Sequence, residues 1–144
     1  MKVLLQRCKE SNVSIKSKIV GKIKSGLVIF VGFEKKDSKE DIVLIIDKIL
    51  NFRIFNDINQ KMNLSIKDIN GSVLIISQFT LCAETKKGRR PSFLNAANPD
   101  NSIQLYDFFI KEFQKFINVQ SGVFGQEMQV KLINDGPATF ILES

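Results

Sequence analysis

Two runs of β-branched and aliphatic residues constrain the fold of this chain more than any other feature. One run extends from Gly26 to Gly32, and the other occupies residues 73–76 and follows the turn-forming pair Asn70-Gly71. Uninterrupted apolar runs of this length are typical of strands that are buried on both faces of a sheet. The sequence therefore predicts two central strands, with the rest of the chain arranged around them.

The second run passes directly into polar side chains. Ser77, Gln78 and Thr80 follow it and surround Phe79. Buried polar groups cost free energy unless they form hydrogen bonds. Two interpretations are open: a strand end whose hydroxyl groups bond to nearby backbone, or a ledge that takes part in binding or catalysis.

Shorter patterns predict the remaining elements. Ser38 with Asp41 indicates the start of a helix whose apolar face consists of Ile42, Ile45, Ile46, Ile49 and Leu50. A second helix is expected after Ser102, with an apolar stripe at Ile103, Tyr106, Phe109, Ile110, Phe113, Phe116 and Ile117. Further strands are expected at residues 3–8, 12–15, 19–23, 53–55, 62–66, 128–133 and 138–142. This order predicts an α+β fold: mixed or mainly antiparallel sheets, barrel-like or layered, with two packed helices.

Size and composition limit the class of protein. The chain has 144 residues, 44% of them hydrophobic, which suits a single domain spanning residues 1–144. No stretch reaches the roughly 18 apolar residues that a membrane helix needs, and the N-terminal apolar run is too short for a signal peptide. We therefore expect a cytoplasmic protein without membrane contact. The net charge of +6 suits an anionic partner such as RNA, although solvated surfaces are often equally basic.

The chain contains no histidine, and its only cysteines are Cys8 and Cys82. A Ser-His-Asp triad, a Cys-His pair and a histidine-ligated zinc site are therefore excluded within the chain. Two cysteines are too few for a disulfide framework or a cysteine-ligated zinc site, so we expect reduced core thiols and neither metal nor cofactor. Ser77 or Thr80 could act as a nucleophile only beside a base. Backbone N–H groups of residues 77–80 could instead stabilise an oxyanion without any titratable group.

Two further segments allow a structural or a functional interpretation. The dipeptide Gly136-Pro137 is typical of a tight hairpin turn, but it could also hold carbonyl oxygens rigidly in a pocket and exclude one stereoisomer. The cluster Lys86, Lys87, Arg89 and Arg90 is either solvated surface or a site for nucleic-acid phosphates. The cluster alone would fit a non-catalytic nucleic-acid-binding protein, and this alternative stays open.

Several motifs together resemble D-aminoacyl-tRNA deacylase over nearly the whole chain. The resemblance is carried by Gln6-Arg7, residues 61–65, Ser77-Gln78-Phe79-Thr80-Leu81, residues 85–93, Phe124-Gly125, residues 128–130 and residues 134–139. It implies hydrolysis of the ester between a D-amino acid, or glycine, and the 3′-terminal adenosine of tRNA, with L-aminoacyl-tRNA spared. The departures are small: Cys82 stands where an aromatic residue is frequent, and Ala138 where valine is frequent.

The resemblance also implies roles for particular residues. A homodimer is expected, with Ser77, Gln78, Phe79 and Thr80 beside the ester at the subunit interface. Gly136 and Pro137, as a Gly-cis-Pro pair, would project from the partner subunit and exclude an L side chain. Arg7 would support that dipeptide, and Met128 would line the pocket. For Thr80 the resemblance leaves a nucleophile and a structural residue open, and the absence of histidine favours the second, with the ribose hydroxyl of tRNA assisting.

Overall fold

A six-stranded mixed sheet forms the centre of the structure, a computed structural model that describes residues 1–86 and 88–144. The strands are β1 (Lys2–Ile15), β2 (Lys18–Ile23), β3 (Gly26–Gly32), β4 (Phe55–Asn56), β5 (Met62–Leu64), β6 (Ser72–Ser77), β7 (Asn118–Ser121) and β8 (Gln129–Glu143). The helices are α1 (Lys39–Leu50) and α2 (Pro99–Gln114), and a 3₁₀ turn covers Phe79–Cys82. The strand order is β2-β1-β3-β6-β7, β8 pairs with β1, and β4 and β5 form a separate ribbon.

The two apolar runs are the central strands β3 and β6, as predicted. They pair in parallel, and β3 is antiparallel to β1 on its other side. Four consecutive residues of β6, Val73 to Ile76, are at most 1% exposed. Both faces of the sheet are covered at β6, so apolar side chains occupy consecutive positions and do not alternate with polar ones.

Strand β1 is continuous, although the sequence predicts two strands separated by residues 9–11. Its first half pairs with β3 and its last residues pair with β2, while β8 follows almost its whole length on the other side. Lys9 and Glu10 are exposed, which explains why their charges are tolerated in mid-strand. The hairpin of β1 and β2 is confirmed, and its turn residues Lys16 and Ser17 have positive φ values of 46° and 67°.

Two hydrophobic cores lie on opposite faces of the sheet. The larger core places both helices against residues such as Leu5, Ile29 and Ile75. The smaller core lies on the other face, where the sheet curls, and contains Cys8, Val13, Ile23, Val28, Leu74 and Ile76. Burial raises the pKa of the Cys8 thiol to about 11, so this thiol is protonated at neutral pH. The fold prediction of a mixed, nearly barrel-shaped sheet with two packed helices is confirmed.

The helices differ in how well the sequence predicts them. In α1, Ser38 is the N-cap as predicted and forms a capping box with Asp41, and the five predicted apolar residues are all buried. In α2, the predicted cap at Ser102 is wrong, because Asn98 is the N-cap and Pro99 occupies the first turn. The buried face of α2 is Ser102, Leu105, Tyr106, Phe109 and Phe113. Ile103 and Phe116, assigned to the stripe from the sequence, are 42% and 57% exposed.

The C-terminal end differs from the predicted pair of strands at residues 128–133 and 138–142, and the hairpin interpretation of the turn between them is wrong. A single strand, β8, runs through residues 134–137 and stays antiparallel to β1 on both sides of them. The prediction was wrong because β1 is long enough to pair with both halves of β8. The short strand β7, which was not predicted, pairs with β6 at the sheet edge. Among the described helices, neither has the length and apolar character required to cross a bilayer.

Candidate functional site

A cavity of about 790 Å³ opens where β6 ends. Its wall contains Ser77, Gln78 and Phe79, the start of α2, and Met128 from the segment before β8. The other lining residues are Ile76, Phe93, Ala96, Ala97, Asn98, Pro99, Ser102, Phe124, Gly125, Gln126, Glu127 and Val130. This volume falls within the range of pockets that hold small-molecule groups. Three of the four predicted catalytic residues, together with Met128, therefore line one cavity.

The polar segment after β6 turns sharply away from the sheet. The backbone N–H of Gln78 donates to the carbonyl oxygen of Val31 at 2.7 Å, and the 3₁₀ turn starts at the next residue. Gly32 makes this turn possible, because a Cβ atom there would lie 2.7 Å from the Gln78 carbonyl oxygen and 3.0 Å from the Sγ of Cys82. The first N–H groups of a helical turn have no partner inside the turn. The N–H groups of Phe79 and Thr80 occupy these positions.

The side chain of Thr80 is exposed and does not line the cavity. Its Oγ1 accepts a hydrogen bond from Nε2 of Gln78 at 2.5 Å. An amide N–H cannot remove a proton from a hydroxyl group, so this contact does not activate Thr80 as a nucleophile. The contact holds Gln78 and Thr80 together across the turn. Of the residues that line the cavity, Glu127 has the only ionisable carboxyl or amino group.

Aromatic rings form two walls of the cavity. Phe79 is 57% exposed, and its ring centroid lies 4.9 Å from that of Phe93. Phe124 also lines the cavity, and its ring centroid lies 5.8 Å from that of Tyr106 of α2. The Tyr106 hydroxyl group donates to the carbonyl oxygen of Ile75 at 2.9 Å and lies 3.3 Å from that of Gly122, and burial raises its pKa. Tyr106 therefore fixes the wall that bears Phe124 to the end of β6.

Met128 is held by close packing. A Cβ atom on Gly122 would overlap the Sδ of Met128 and would lie 3.3 Å from the Cδ1 of Ile76. A side chain at position 122 would therefore displace Met128 from the cavity wall. Met128 was predicted only through the family resemblance. Asn98 and Ser102 were not predicted as part of the wall, because the predicted start of α2 lies four residues too late.

A second group of predicted site residues lies apart from the cavity. Gly136 and Pro137 are exposed, they are joined by a cis peptide bond, and neither lines the cavity. Arg7 is only 4% exposed and holds this loop: its Nε donates to the carbonyl oxygen of Asp135 at 3.0 Å and forms an ion pair with the Asp135 carboxylate at 3.1 Å. Its Nη2 lies 3.5 Å from the Gly136 carbonyl oxygen, and its Nη1 donates to Ile54.

The basic residues lie in the irregular segment between the 3₁₀ turn and α2. Lys86, Arg89 and Arg90 are exposed, and Lys87 lies outside the described residues. Glu84 and Ser92 close this loop through two backbone hydrogen bonds of 2.8 and 3.1 Å. Phe93 follows directly and reaches the cavity. Within residues 1–86 and 88–144, no group of three or more histidine, cysteine, aspartate or glutamate residues is placed to hold a metal ion.

Comparisons with known proteins match the full length of the chain. The family model described as D-Tyr-tRNA(Tyr) deacylase matches residues 4–143. A D-aminoacyl-tRNA deacylase of Flavobacterium psychrophilum (strain ATCC 49511 / DSM 21280 / CIP 103535 / JIP02/86) is 51% identical over 146 aligned positions, covering 100% of this chain and 97% of the relative.

Two solved structures have the same fold. One is named c-Myc DNA Unwinding Element Binding Protein; its TM-score is 0.95 at 32% identity, with 100% of this chain and 99% of that chain covered. The other is described as a probable eukaryotic D-amino acid tRNA deacylase; its TM-score is 0.84 at 20% identity, with 98% and 97% covered. At that identity the second likeness concerns the fold alone.

Proposed function

Because the chain belongs to the D-Tyr-tRNA(Tyr) deacylase family, whose members are hydrolases of aminoacyl-tRNA ester bonds, we propose that it removes D-amino acids from tRNA by cross-subunit chiral selection. The observation that carries this proposal is the separation of two groups of residues. One group, Ser77 to Phe79 with Met128, forms a cavity, and the other, Gly136-Pro137, lies on an exposed loop outside it. A second copy of the chain would bring the two groups together. The cytoplasm, where tRNA is charged, is the expected location.

A homodimer is supported by an apolar row on the sheet face opposite the helices. Ile76, Phe30, Leu4 and Ile141 are consecutive partners across β6, β3, β1 and β8. Exposure rises along the row from 1% at Ile76, which lines the cavity, to 68% at Ile141. An exposed apolar face of this kind favours burial against another surface. In a two-fold dimer, each subunit would place its loop at the cavity of the other.

We expect Ile141→Lys to weaken the dimer, because a charge would have to be buried in the interface. Light scattering should show a shift towards monomer, and hydrolysis of D-aminoacyl-tRNA should fall with it. Leu44→Lys is the matched control, since Leu44 is 71% exposed on α1, away from the row. A fully dimeric and active Ile141→Lys variant would place the interface elsewhere.

The proposed chemistry relies on backbone groups and on the substrate. The ester carbonyl would accept hydrogen bonds from the N–H groups of Phe79 and Thr80, which stabilise the negative charge that develops when water adds. The bond to the ribose oxygen then breaks and releases the amino acid and tRNA. The neighbouring ribose hydroxyl group would assist proton transfer, because the chain has no histidine to act as a general base. Carbonyl oxygens of Gly136-Pro137 would exclude an L side chain, whereas glycine has none and could enter.

The experiment that tests the proposal compares matched D-tyrosyl-tRNA and L-tyrosyl-tRNA as substrates of the purified protein. We expect rapid release of D-tyrosine and little release of L-tyrosine. Glycyl-tRNA, which has no side chain to exclude, should also be hydrolysed. Equal turnover of both enantiomers would contradict chiral selection, and no turnover of either would contradict the proposed activity.

Thr80→Ala tests whether Thr80 is a nucleophile. Its hydroxyl group is bonded only to the Gln78 amide in the structure described, so we expect the variant to keep activity within about tenfold of the parent, the effect of one lost hydrogen bond. Single-turnover rates on D-tyrosyl-tRNA would measure this. Complete loss of turnover in a folded variant would identify Thr80 as the nucleophile.

The second candidate is a non-catalytic nucleic-acid-binding protein. It is favoured by the exposed Lys86, Arg89 and Arg90, by the net charge of +6, and by the name of the relative called a DNA unwinding element binding protein. This candidate predicts nucleic-acid binding without ester turnover. Both candidates predict phosphate contacts from the basic residues, so binding alone does not separate them.

Replacing Lys86, Arg89 and Arg90 together by alanine should weaken tRNA binding and flatten its salt dependence. The slope of log affinity against log salt concentration should fall by about 0.9 for each phosphate that the protein no longer neutralises. For a deacylase the KM for D-aminoacyl-tRNA should rise while kcat changes little, because the residues lie outside the cavity. Lys48, Lys67 and Lys111, replaced together, provide the control of equal charge. An unchanged KM would exclude the loop from tRNA binding.

A further inference from the structure

The loop that carries Gly136-Pro137 is a large bulge in β8. Cys8 of β1 pairs with Asn134, and Gln6 pairs with Thr139. Only Arg7 separates the two paired residues on β1, whereas the four residues 135–138 separate them on β8. The surplus residues must leave the sheet, and bulges of this kind change the direction in which side chains and backbone point.

Arg7 holds the tip of this bulge, and Asn134 holds its base. The Asn134 Nδ2 donates to the carbonyl oxygen of Arg7 at 3.1 Å and to that of Ala138 at 3.4 Å. The first bond joins the bulge to β1, and the second joins its two ends, residues 134 and 138, to each other. A side-chain amide has two N–H donors, so both bonds can form at once.

The same side chain lies beside the glycine. A Cβ atom on Gly136 would lie 3.6 Å from the Oδ1 of Asn134, so the amide contacts the inner side of the loop tip. The far end of the bulge is fixed independently, because Ala138 is fully buried. The position of Gly136 is therefore set by Arg7 from one side and by Asn134 from the other.

We propose that Asn134 is a positioning residue for chiral selection, which fixes the height at which Gly136-Pro137 projects from the sheet. This inference rests on the proposed function, because it concerns how closely the dipeptide approaches the substrate in the partner subunit. Exclusion of an L side chain would depend on how closely the dipeptide approaches the substrate, whereas hydrolysis of the D ester would depend on residues 77–80. Loosening the base of the bulge should therefore change selectivity more than rate.

Two variants test the proposal, Asn134→Ala and Asn134→Leu. The second keeps most of the side-chain volume but has no N–H donors. In both, the ratio of D-tyrosyl-tRNA to L-tyrosyl-tRNA turnover should fall by roughly tenfold, because Asn134 is exposed and its two hydrogen bonds are each worth less than a buried one. The fall should come from faster L-ester hydrolysis at a nearly unchanged D-ester rate. Asn118→Ala is the control, because its amide donates to Ser72 Oγ at the far end of the sheet.

The outcomes separate the two proposals. If the parent enzyme shows no preference for the D ester, the proposed function fails and this inference fails with it. If the parent is selective but both folded variants keep its ratio, only the role of Asn134 is overturned. A drop in both D and L turnover, or failure of both variants to fold by circular dichroism, would make Asn134 a structural residue and would also overturn the proposal.

Discussion

Arg7→Ala is expected to abolish chiral selection and to destabilise the protein. Arg7 is almost fully buried, and its guanidinium group contacts Ile54, Asp135 and Gly136. Its removal leaves buried carbonyl oxygens without donors. Among the described residues, the Asp135 carboxylate keeps only Lys9, which lies 3.4 Å away, as a charged partner. The loss of stability should be about 3 kcal/mol, the low end for breaking a buried ion pair, because Asp135 is partly exposed.

The functional effect of Arg7→Ala should exceed that of the Asn134 variants. The arginine holds the tip of the bulge directly, so L-tyrosyl-tRNA should be hydrolysed more than about tenfold faster than by the parent, a change of over roughly 1.4 kcal/mol. Arg7→Lys should restore the charge but not the selectivity, because an ammonium group cannot reproduce the planar set of donors. Chemical denaturation would measure stability, and enantiomer-specific turnover would measure selection.

The control for this prediction is Arg53→Ala. Arg53 donates to the Asn63 carbonyl oxygen at 2.8 Å, but it is exposed, so its loss should cost little. An Arg7→Ala variant that keeps the parental selectivity would show that the loop does not depend on Arg7. The proposed origin of chiral selection would then be wrong.

Local patterns predict the parts of the fold that depend on neighbouring residues. The runs at 26–32 and 73–76 are buried strands, and the capping box at Ser38 is present, because these signals act over a few residues. The hairpin interpretation of the C-terminal turn was wrong because the partner of a strand depends on residues that are distant in the sequence. Residues 129–143 pair with β1 at the opposite end of the chain. The residues around Gly136-Pro137 contain no local pattern from which this pairing could be predicted.

The candidate site shows the same limit. The polar residues that follow an apolar strand predict a site at Ser77, Gln78 and Thr80, and the cavity opens at this point. Thr80, however, lies outside it, because successive side chains of a 3₁₀ turn point about 120° apart. The Asn98-Pro99 pair is a recognisable helix start, and giving it more weight than Ser102 would have placed α2 correctly. The burial of Arg7 depends on Ile54 and Asp135, which are distant in sequence.

Gly32→Ala is expected to have the largest effect on rate. Gly32 ends β3 directly behind the turn of residues 78–82, and a methyl group there would meet the Gln78 carbonyl oxygen at 2.7 Å. Backbone contacts this short do not occur, so the turn must move. The N–H groups of Phe79 and Thr80 would move with it, and a displacement of about 1 Å at a catalytic site can cost about 100-fold in rate.

Single-turnover hydrolysis of D-tyrosyl-tRNA by Gly32→Ala should therefore be about 100-fold slower. Gly21→Ala is the matched control, because its added methyl group would meet Ser121 at 3.0 Å and Leu74 at 3.2 Å, in the sheet and away from the turn. That variant should lose stability but keep most of its rate. Because the turn acts on the ester whatever its chirality, Gly32→Ala should slow both enantiomers and keep their ratio, whereas Arg7→Ala should change the ratio. If Gly32→Ala changed selectivity at an undiminished D-ester rate, the assignment of rate to the turn and selection to the bulge would be wrong.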